Sequence, residues 1–512
     1  MDKSRIPVLV GCGQVTRHDP DPAAASPPID LIADAARAAA ADTGVGAGIL
    51  QALDTLVVIR AFADTSWRFA CPFGSYANPP KSLAARLGAD AARRQVYTWP
   101  GGNMPQWCVN RLFEMVTRGE VEAALIAGGE ALATQKAAQR AGLQLDWSED
   151  PGGAPEMWGV SKRGWNDVED RHRMAGAIYA YPLIETAIRG AAGADLVSHQ
   201  AAMGRLFARF AAVAAGNPLA DRRDGYDAAT IATPGPGNPY IVAPYTRLMN
   251  ANAFIDQSAA LILTSVAKAE ALGIPQDRWV HLHGCADATD SWYLSDRAAF
   301  HRSPAMHVTA REALAMAGSE MADMAALDLY SCFPSAVEIA CAEMGIAPDD
   351  PRGLTVTGGL PYFGGPGNNY VTHSIAEMMN RMRAQPGAKG LVTANGNYIT
   401  KHSAGIYSTA PADRPFAPKD PALYQAEVDA VTGPPAAAAP QGPATVETYA
   451  VVHDRKGPSF AILYARQPDG SRFIANTPDD PALLADIIAR DHLGATGRAV
   501  LSGDGRCVFT PD

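Results

Sequence analysis

Cysteine is scarce in this chain. Seven occur in 512 residues (Cys12, Cys71, Cys108, Cys285, Cys332, Cys341 and Cys507), an odd and scattered set with no C-x-x-C pair. That excludes a disulfide framework and points to a reducing compartment, so a cytoplasmic location is expected. Long apolar runs are missing too. No stretch approaches the roughly 18 residues that a membrane-spanning helix needs. The opening MDKSRIPVLVGCG lacks the apolar core of a cleavable signal. Charge is sparse at 19% of residues, and the balance of 43 basic against 53 acidic gives −10. A surface of that sign argues against nucleic-acid binding and leaves room only for a local basic patch. The expected partner is a small molecule, with neither nucleic acid nor membrane.

What is present is apolar. Hydrophobic residues make up 47% of the chain, enough for large cores and too many for disorder. The length corresponds to roughly three domains. Short buried-strand patterns at 6–10, 55–59 and 123–126 alternate with helical patterns at 29–41 and 111–118. This order predicts helices layered on sheets. Residues 131–245 break the alternation. They carry Trp147, Trp158, Trp165 and many charges, with one helical stretch near 198–214, and read as an insertion covering one face. A strand at 259–264 and a helix at 267–272 restore the pattern. A second series follows, with strands at 280–282, 327–329 and 390–393 and helices at 308–317, 334–344 and 374–383. The similar grammar of the two series suggests duplication. Residues 433–443, GPPAAAAPQGP, have a linker composition. Beyond them, 444–512 read as short strands with one helix at 481–491, a small barrel-like unit too short to be stable without docking on the body.

Several segments resemble motifs of the thiolase superfamily. Pro100-Gly101-Gly102-Asn103, followed by a helix and Ala127-Gly128-Gly129-Glu130, resembles the family's nucleophile turn and the strand after it. Leu248-Met249-Asn250-Ala251, leading into Asp256-Gln257-Ser258-Ala259-Ala260, resembles the run before the end of the N-terminal half. Tyr330-Ser331-Cys332-Phe333 resembles N-E-A-F or H-D-C-F. Gly358-Gly359 with Gly364-Gly365-Pro366-Gly367 resembles G-G-x-x-x-x-G-H-P-x-G, and Thr393-Ala394-Asn395-Gly396 stands where the family has C-x-G. The likeness spans about 1–410. Its nearest branch is the sterol-carrier-protein-type thiolase-like proteins of type 1, which carry an extra C-terminal OB-like domain. The resemblance implies a duplicated five-layer α/β fold. Its N-terminal half is 1–272 with the 131–245 insertion, its C-terminal half is 273–432, and an OB-like domain at 444–512 follows the linker. It also implies a CoA thioester as ligand and no metal.

The chemistry of that family needs an acylated cysteine, an activating histidine and a second cysteine that moves a proton at the substrate's α-carbon. Here the nucleophile position falls on Gly102 or Asn103, the histidine on Gly365 and the second cysteine on Ala394. Cys108 lies five or six residues too late and reads as an ordinary buried thiol. Losing one member of such a unit costs about 10⁴ or more, so acyl transfer is expected to be weak or absent. Three residues remain as candidates for chemistry. Tyr330, in the place of the motif's Asn or His, resembles the corresponding residue of thiolase-related retro-aldolases and offers a phenol as donor or proton carrier. His373 begins a helix after a glycine-rich loop. His402 lies in an oddly polar run, and it or the adjacent Lys401 is placed to act as a base or meet a phosphate.

Asn103, Gly364, Gly365, Asn368, Asn369, Ala394 and Gly396 are the expected ligand-binding positions. His281 and His283 read as packing or surface groups. Lys162, Arg163, Arg171, Arg173, Arg222 and Arg223 in the insertion are candidates for phosphate contact. Three readings follow: a binder of acyl-CoA or related thioesters, a retro-aldol lyase acting on β-hydroxyacyl-CoA through Tyr330, and a non-enzymatic scaffold or partner subunit. An appendix covering the family's dimer face would make the protein a monomer, with a dimer as the alternative.

Overall fold

A computed structural model describes residues 2–18, 21–65, 67–89 and 92–512. Two sheets and a barrel carry the architecture. From edge to edge, the N-terminal sheet is Pro7–Arg17, Asp256–Ser265, Ala123–Ala131, Thr55–Val58, Arg94–Thr98 and Glu156–Trp158. Its first two pairings are antiparallel and the other three are parallel. Ala123–Ala131 is buried at every residue, as an apolar strand covered on both faces should be. The C-terminal sheet runs Met324–Asp328, Lys389–Gly396, Lys401–Ser408, His281–Thr289, parallel at the first pairing and antiparallel after it.

Two helices, Met104–Arg118 and Tyr370–Ala384, contact both sheets and form the buried middle layer. Pro28–Asp42 covers the outer face of the N-terminal sheet, and Pro304–Met316 that of the C-terminal sheet. The stacking order is therefore helix, sheet, helix, sheet, helix.

The C-terminal strands Gly457–Arg466, Arg472–Asn476, Cys507–Pro511, Thr496–Leu501 and Gly442–Asp454 pair in that order, and Gly442–Asp454 closes the ring against Gly457–Arg466. The 433–441 segment is packed rather than free, with Ala437 N–H donating to the Arg472 carbonyl and Arg472 N–H to that of Pro435. The barrel docks through Arg472. Its guanidinium pairs with Glu447 at 2.5 Å and donates to the carbonyls of Ser295 and Arg297.

The 131–245 region is mainly helical, with Ala177–Ala191 and Leu196–Gly216 its longest helices. It also supplies strand to both neighbours. Glu156–Trp158 occupies the outer edge of the N-terminal sheet, and Tyr240–Ala243 pairs with barrel residues Val451 and Val452. The polar run around His402 turns out to be interior. Lys401–Ser408 is a strand with all eight residues buried, because its polar side chains find partners inside.

Candidate active-site cleft

A cleft of about 1050 Å³ opens beside the first turns of Met104–Arg118. Asn103, Lys401 and His402 line it, with Trp107, Trp158, Trp292 and Phe416 supplying apolar wall. Trp107 and Trp158 meet edge to face at 6.1 Å. Arg111, Arg118 and Lys419 also line the cleft, but each already has a carboxylate: Glu114 for both arginines and Glu312 for Lys419.

The turn between Lys389–Gly396 and Lys401–Ser408 delivers the polar groups. Asn397 and Ile399 both have φ +57°, and for β-branched Ile399 this is a strained conformation. Its surroundings enforce it. Arg297 Nη2 donates to the Tyr398 carbonyl (2.5 Å), the Ile399 carbonyl (2.6 Å) and Thr400 Oγ1 (3.1 Å). The Tyr181 hydroxyl donates to the Asn397 carbonyl and accepts from Ile399 N–H. Trp165 of the insertion stacks on Tyr398 at 6.3 Å.

Lys401 emerges from this turn beside Gly101 and Gly396. Its Nζ donates to the Pro100 carbonyl at 2.5 Å and lies 5.9 Å from the Trp292 ring centre. No carboxylate pairs with it among the described residues, and burial lowers its pKa to about 8. Asn103 Oδ1 is buried without a hydrogen-bond partner among the described residues. A β-carbon on Gly396 would fall 2.4 Å from that oxygen, and one on Gly101 2.6 Å from Lys401 Nζ. The two glycines thus allow Asn103 and Lys401 to converge.

Tyr330 approaches the same helix start from the C-terminal half. A β-carbon on Gly102 would fall 2.3 Å from the Tyr330 hydroxyl and 2.6 Å from the Asn395 carbonyl oxygen. The phenol therefore fills space that a side chain at position 102 would need. Burial, with Cys332 and Tyr370 close by, pushes that phenol well above its usual range, so it stays protonated and can donate. Tyr330, Ala394 and His402 line a second cavity of about 10 Å³. His402 is fixed by Asp290 Oδ2 and Ser303 Oγ, both 3.3 Å from its Nε2. Burial works to raise the Asp290 carboxyl, but His402, Arg297 and Ser303 together hold it below the usual range.

The remaining expected site residues lie elsewhere. His373 is fully buried, with Nδ1 2.8 Å from Gln14 Oε1 and its ring against Phe363, and it lines neither cavity. Burial lowers its pKa to about 3, so it is neutral. Asn368 accepts from Gly101 N–H (2.9 Å) and donates to the Arg60 carbonyl (2.8 Å), which props the turn before Gly102. Asn369 donates to the Gly128 carbonyl and accepts from the Thr372 hydroxyl, so its amide is spent internally. A β-carbon on Gly364 would strike the Gln257 amide, and Gly365 donates to the Asn252 carbonyl.

The insertion's cations do not share a face. Lys162 lies over Trp292 at 4.9 Å, Arg163 pairs with Asp167, Arg171 and Arg173 face the barrel at Gly505 and Phe460, and Arg222 donates to the Pro361 carbonyl. Outside the cleft, Glu185, His199 and Glu338 each bring one donor atom within 4.8 Å of the others and could hold a cation. His199 Nε2 is 2.5 Å from Glu185 Oε1, and burial raises both carboxyls, Glu185 to about 7.

No curated protein matches the sequence. The family described as the thiolase-like protein type 1 additional C-terminal domain matches residues 424–504. An acetyl-CoA acetyltransferase from Syntrophomonas wolfei shares 16% identity over 79% of this chain and 99% of its own, with a TM-score of 0.56. An Ltp2-ChsH2(DUF35) aldolase shares 17% identity over 80% and 99%, with a TM-score of 0.57. These two likenesses establish the fold alone. A monomeric SCP2-thiolase-like protein type 1 from Mycobacterium smegmatis is 36% identical over 100% of both chains, with a TM-score of 0.85. Identity and coverage of that order place this chain in the SCP2-thiolase-like protein type 1 family.

Proposed function

We propose that the protein binds an acyl-CoA or related thioester in the cleft and does not carry out cysteine-based acyl transfer. One observation carries this reading: no thiol stands at the helix start, and burial raises the pKa of every cysteine in the chain. Cys12, Cys332 and Cys341 rise to about 12 and Cys507 to about 11, while Cys71, Cys108 and Cys285 are raised as well. The thiolate is the nucleophile, and these thiols hold their protons at neutral pH. The cleft's size and aromatic wall suit a pantetheine arm and acyl chain. Calorimetry with short, long and ring-bearing acyl-CoA thioesters tests the reading. Measurable binding with no turnover of acetoacetyl-CoA plus CoA is expected. No heat and no thermal shift with any of them overturns it.

A second reading rests on the Tyr330 hydroxyl over Gly102. In a retro-aldol lyase, that phenol donates to or accepts from the carbinol oxygen of a β-hydroxyacyl thioester. Positioned acid–base groups of this kind contribute on the order of 10²–10⁴ in rate. Release of ketone or aldehyde from such a thioester, reduced by that factor in Tyr330→Phe, supports it. Release unchanged in that variant removes Tyr330 from the mechanism.

The protein acts as a monomer in this reading. An unpaired edge strand is a template for pairing with another chain. Glu156–Trp158 covers Arg94–Thr98 and leaves as the sheet's edge a strand of only three residues, a short template for pairing. Light scattering that returned a dimer would contradict this.

A further inference from the structure

Lys401 is the group in the cleft whose chemistry the thioester reading leaves unused. Its ammonium form is poorly served. Among the described residues it has no carboxylate partner, and its hydrogen-bond acceptor is a single backbone carbonyl. A lysine needed only as a prop would lie along the surface with its charge in water. This one is 6% exposed, and a strained turn held by Arg297 and Tyr181 directs it at the cleft. The glycines at 101 and 396 keep the space around its side chain open for Asn103. Burial without a compensating anion lowers its pKa to about 8, so a larger share of the amine is neutral near pH 7 than in water, and that neutral fraction is a nucleophile toward carbonyl carbon.

We propose that Lys401 captures the ketone carbonyl of a 3-ketoacyl thioester in this cleft as an imine. The inference rests on the thioester reading of the cleft. The Nζ lone pair adds to the ketone carbon, the C=O π bond breaks, and nitrogen gives up one proton as the oxygen takes one, which leaves a carbinolamine. That hydroxyl takes a second proton and leaves as water as the C–O bond breaks and C=N forms; the product is the protonated imine, which returns that proton to become the neutral imine. The net change is amine plus ketone to imine plus water, with no oxidation or reduction. Tyr330, protonated beside Gly102, lines the small cavity that shares His402 with the cleft and is a donor on that side, while water in the cleft can serve the departing oxygen directly. The protonated imine draws electrons from its neighbouring carbons, which is what a lyase or a proton-exchange step at those carbons requires. The thiol-free site then has a covalent group of its own.

The test uses the full-length protein with acetoacetyl-CoA and sodium cyanoborohydride, which reduces the protonated imine to a secondary amine. A mass increase that retains the CoA moiety, mapped to Lys401, is expected. Labelling should fall at least tenfold in Lys401→Met and in Lys401→Arg, the second variant retaining a cation if the first folds poorly. Calorimetric binding of acetoacetyl-CoA without an adduct overturns the imine and leaves the thioester reading standing. An adduct that has lost CoA shows attack on the thioester instead and overturns the imine as well. So does label that persists in the variants. Acetylacetone is the arm free of thioester. An enaminone on Lys401 from this diketone, with no binding of acetoacetyl-CoA, keeps the amine chemistry and overturns the thioester reading. Neither binding nor any adduct overturns both.

Discussion

Arg297 and Lys401 are two buried cations that serve the same turn, and they are provided for very differently. Arg297 spends one nitrogen, Nη2, on two carbonyls and a hydroxyl, with Asp290 near enough to offset its charge, while its Nε and Nη1 are buried without a partner among the described residues. Lys401 has one carbonyl and a cleft. A cation that holds three oxygens of one turn, beside a carboxylate, is a structural clamp. A cation left short of partners, at the wall of a cavity, is available to something that enters it.

The largest expected effect comes from removing the clamp. Arg297→Met leaves the Tyr398 and Ile399 carbonyls buried without their donor in a strained turn, so a loss of about 3–5 kcal/mol is expected in chemical denaturation. A loss under about 1 kcal/mol would erase the distinction between the two cations.

A smaller effect separates them by pH. The pKa of Lys401 is depressed from 10.5 to about 8, so the unfolded chain binds more protons between those values. Stability contributed by this group therefore rises with pH across that window, by no more than roughly 3.5 kcal/mol at about 1.4 kcal/mol per unit. Arginine keeps its proton throughout. The rise should vanish in Lys401→Met, which should equal or exceed the parent in stability below pH 8. An unchanged denaturation profile in that variant would mean that the amine is not held in a desolvated site.

The smallest effect probes the turn itself. Asn397→Gly relieves a φ of +57° and should stabilise by several tenths to about 1 kcal/mol, read as a higher midpoint of thermal unfolding. A destabilisation would show that Asn397 contributes more through its packing than its backbone costs.

Much of the fold was legible in the sequence because its signals are local. Ala123–Ala131 is an unbroken apolar strand, and the helix Pro28–Asp42 shows its buried face at helical spacing. Lys401–Ser408 was not legible, because KHSAGIYS is polar and its burial depends on partners distant in sequence, such as Asp287 for Ser403 and Gln106 for Tyr407. The Ala177–Ala191 helix was hidden by Pro182 in its interior. At the site, Tyr330, Asn103 and Gly396 could be placed from their motifs, and Lys401 drew notice only as the neighbour of His402. Its lack of a carboxylate is a property of three-dimensional surroundings that a string of residues does not show. The reverse holds for Asn369: its amide looked available and is spent on the Gly128 carbonyl.

The docking of the barrel has a consequence for how these proteins can be taken apart. Arg472 grips the backbone at Ser295 and Arg297, and the side chain of that same Arg297 sets the turn that aims Lys401. The last 70 or so residues are therefore tied by one chain of hydrogen bonds to the turn at the candidate cleft. A chimera that exchanges barrels between relatives keeps its aim only if the 295–297 anchor and Arg472 travel together.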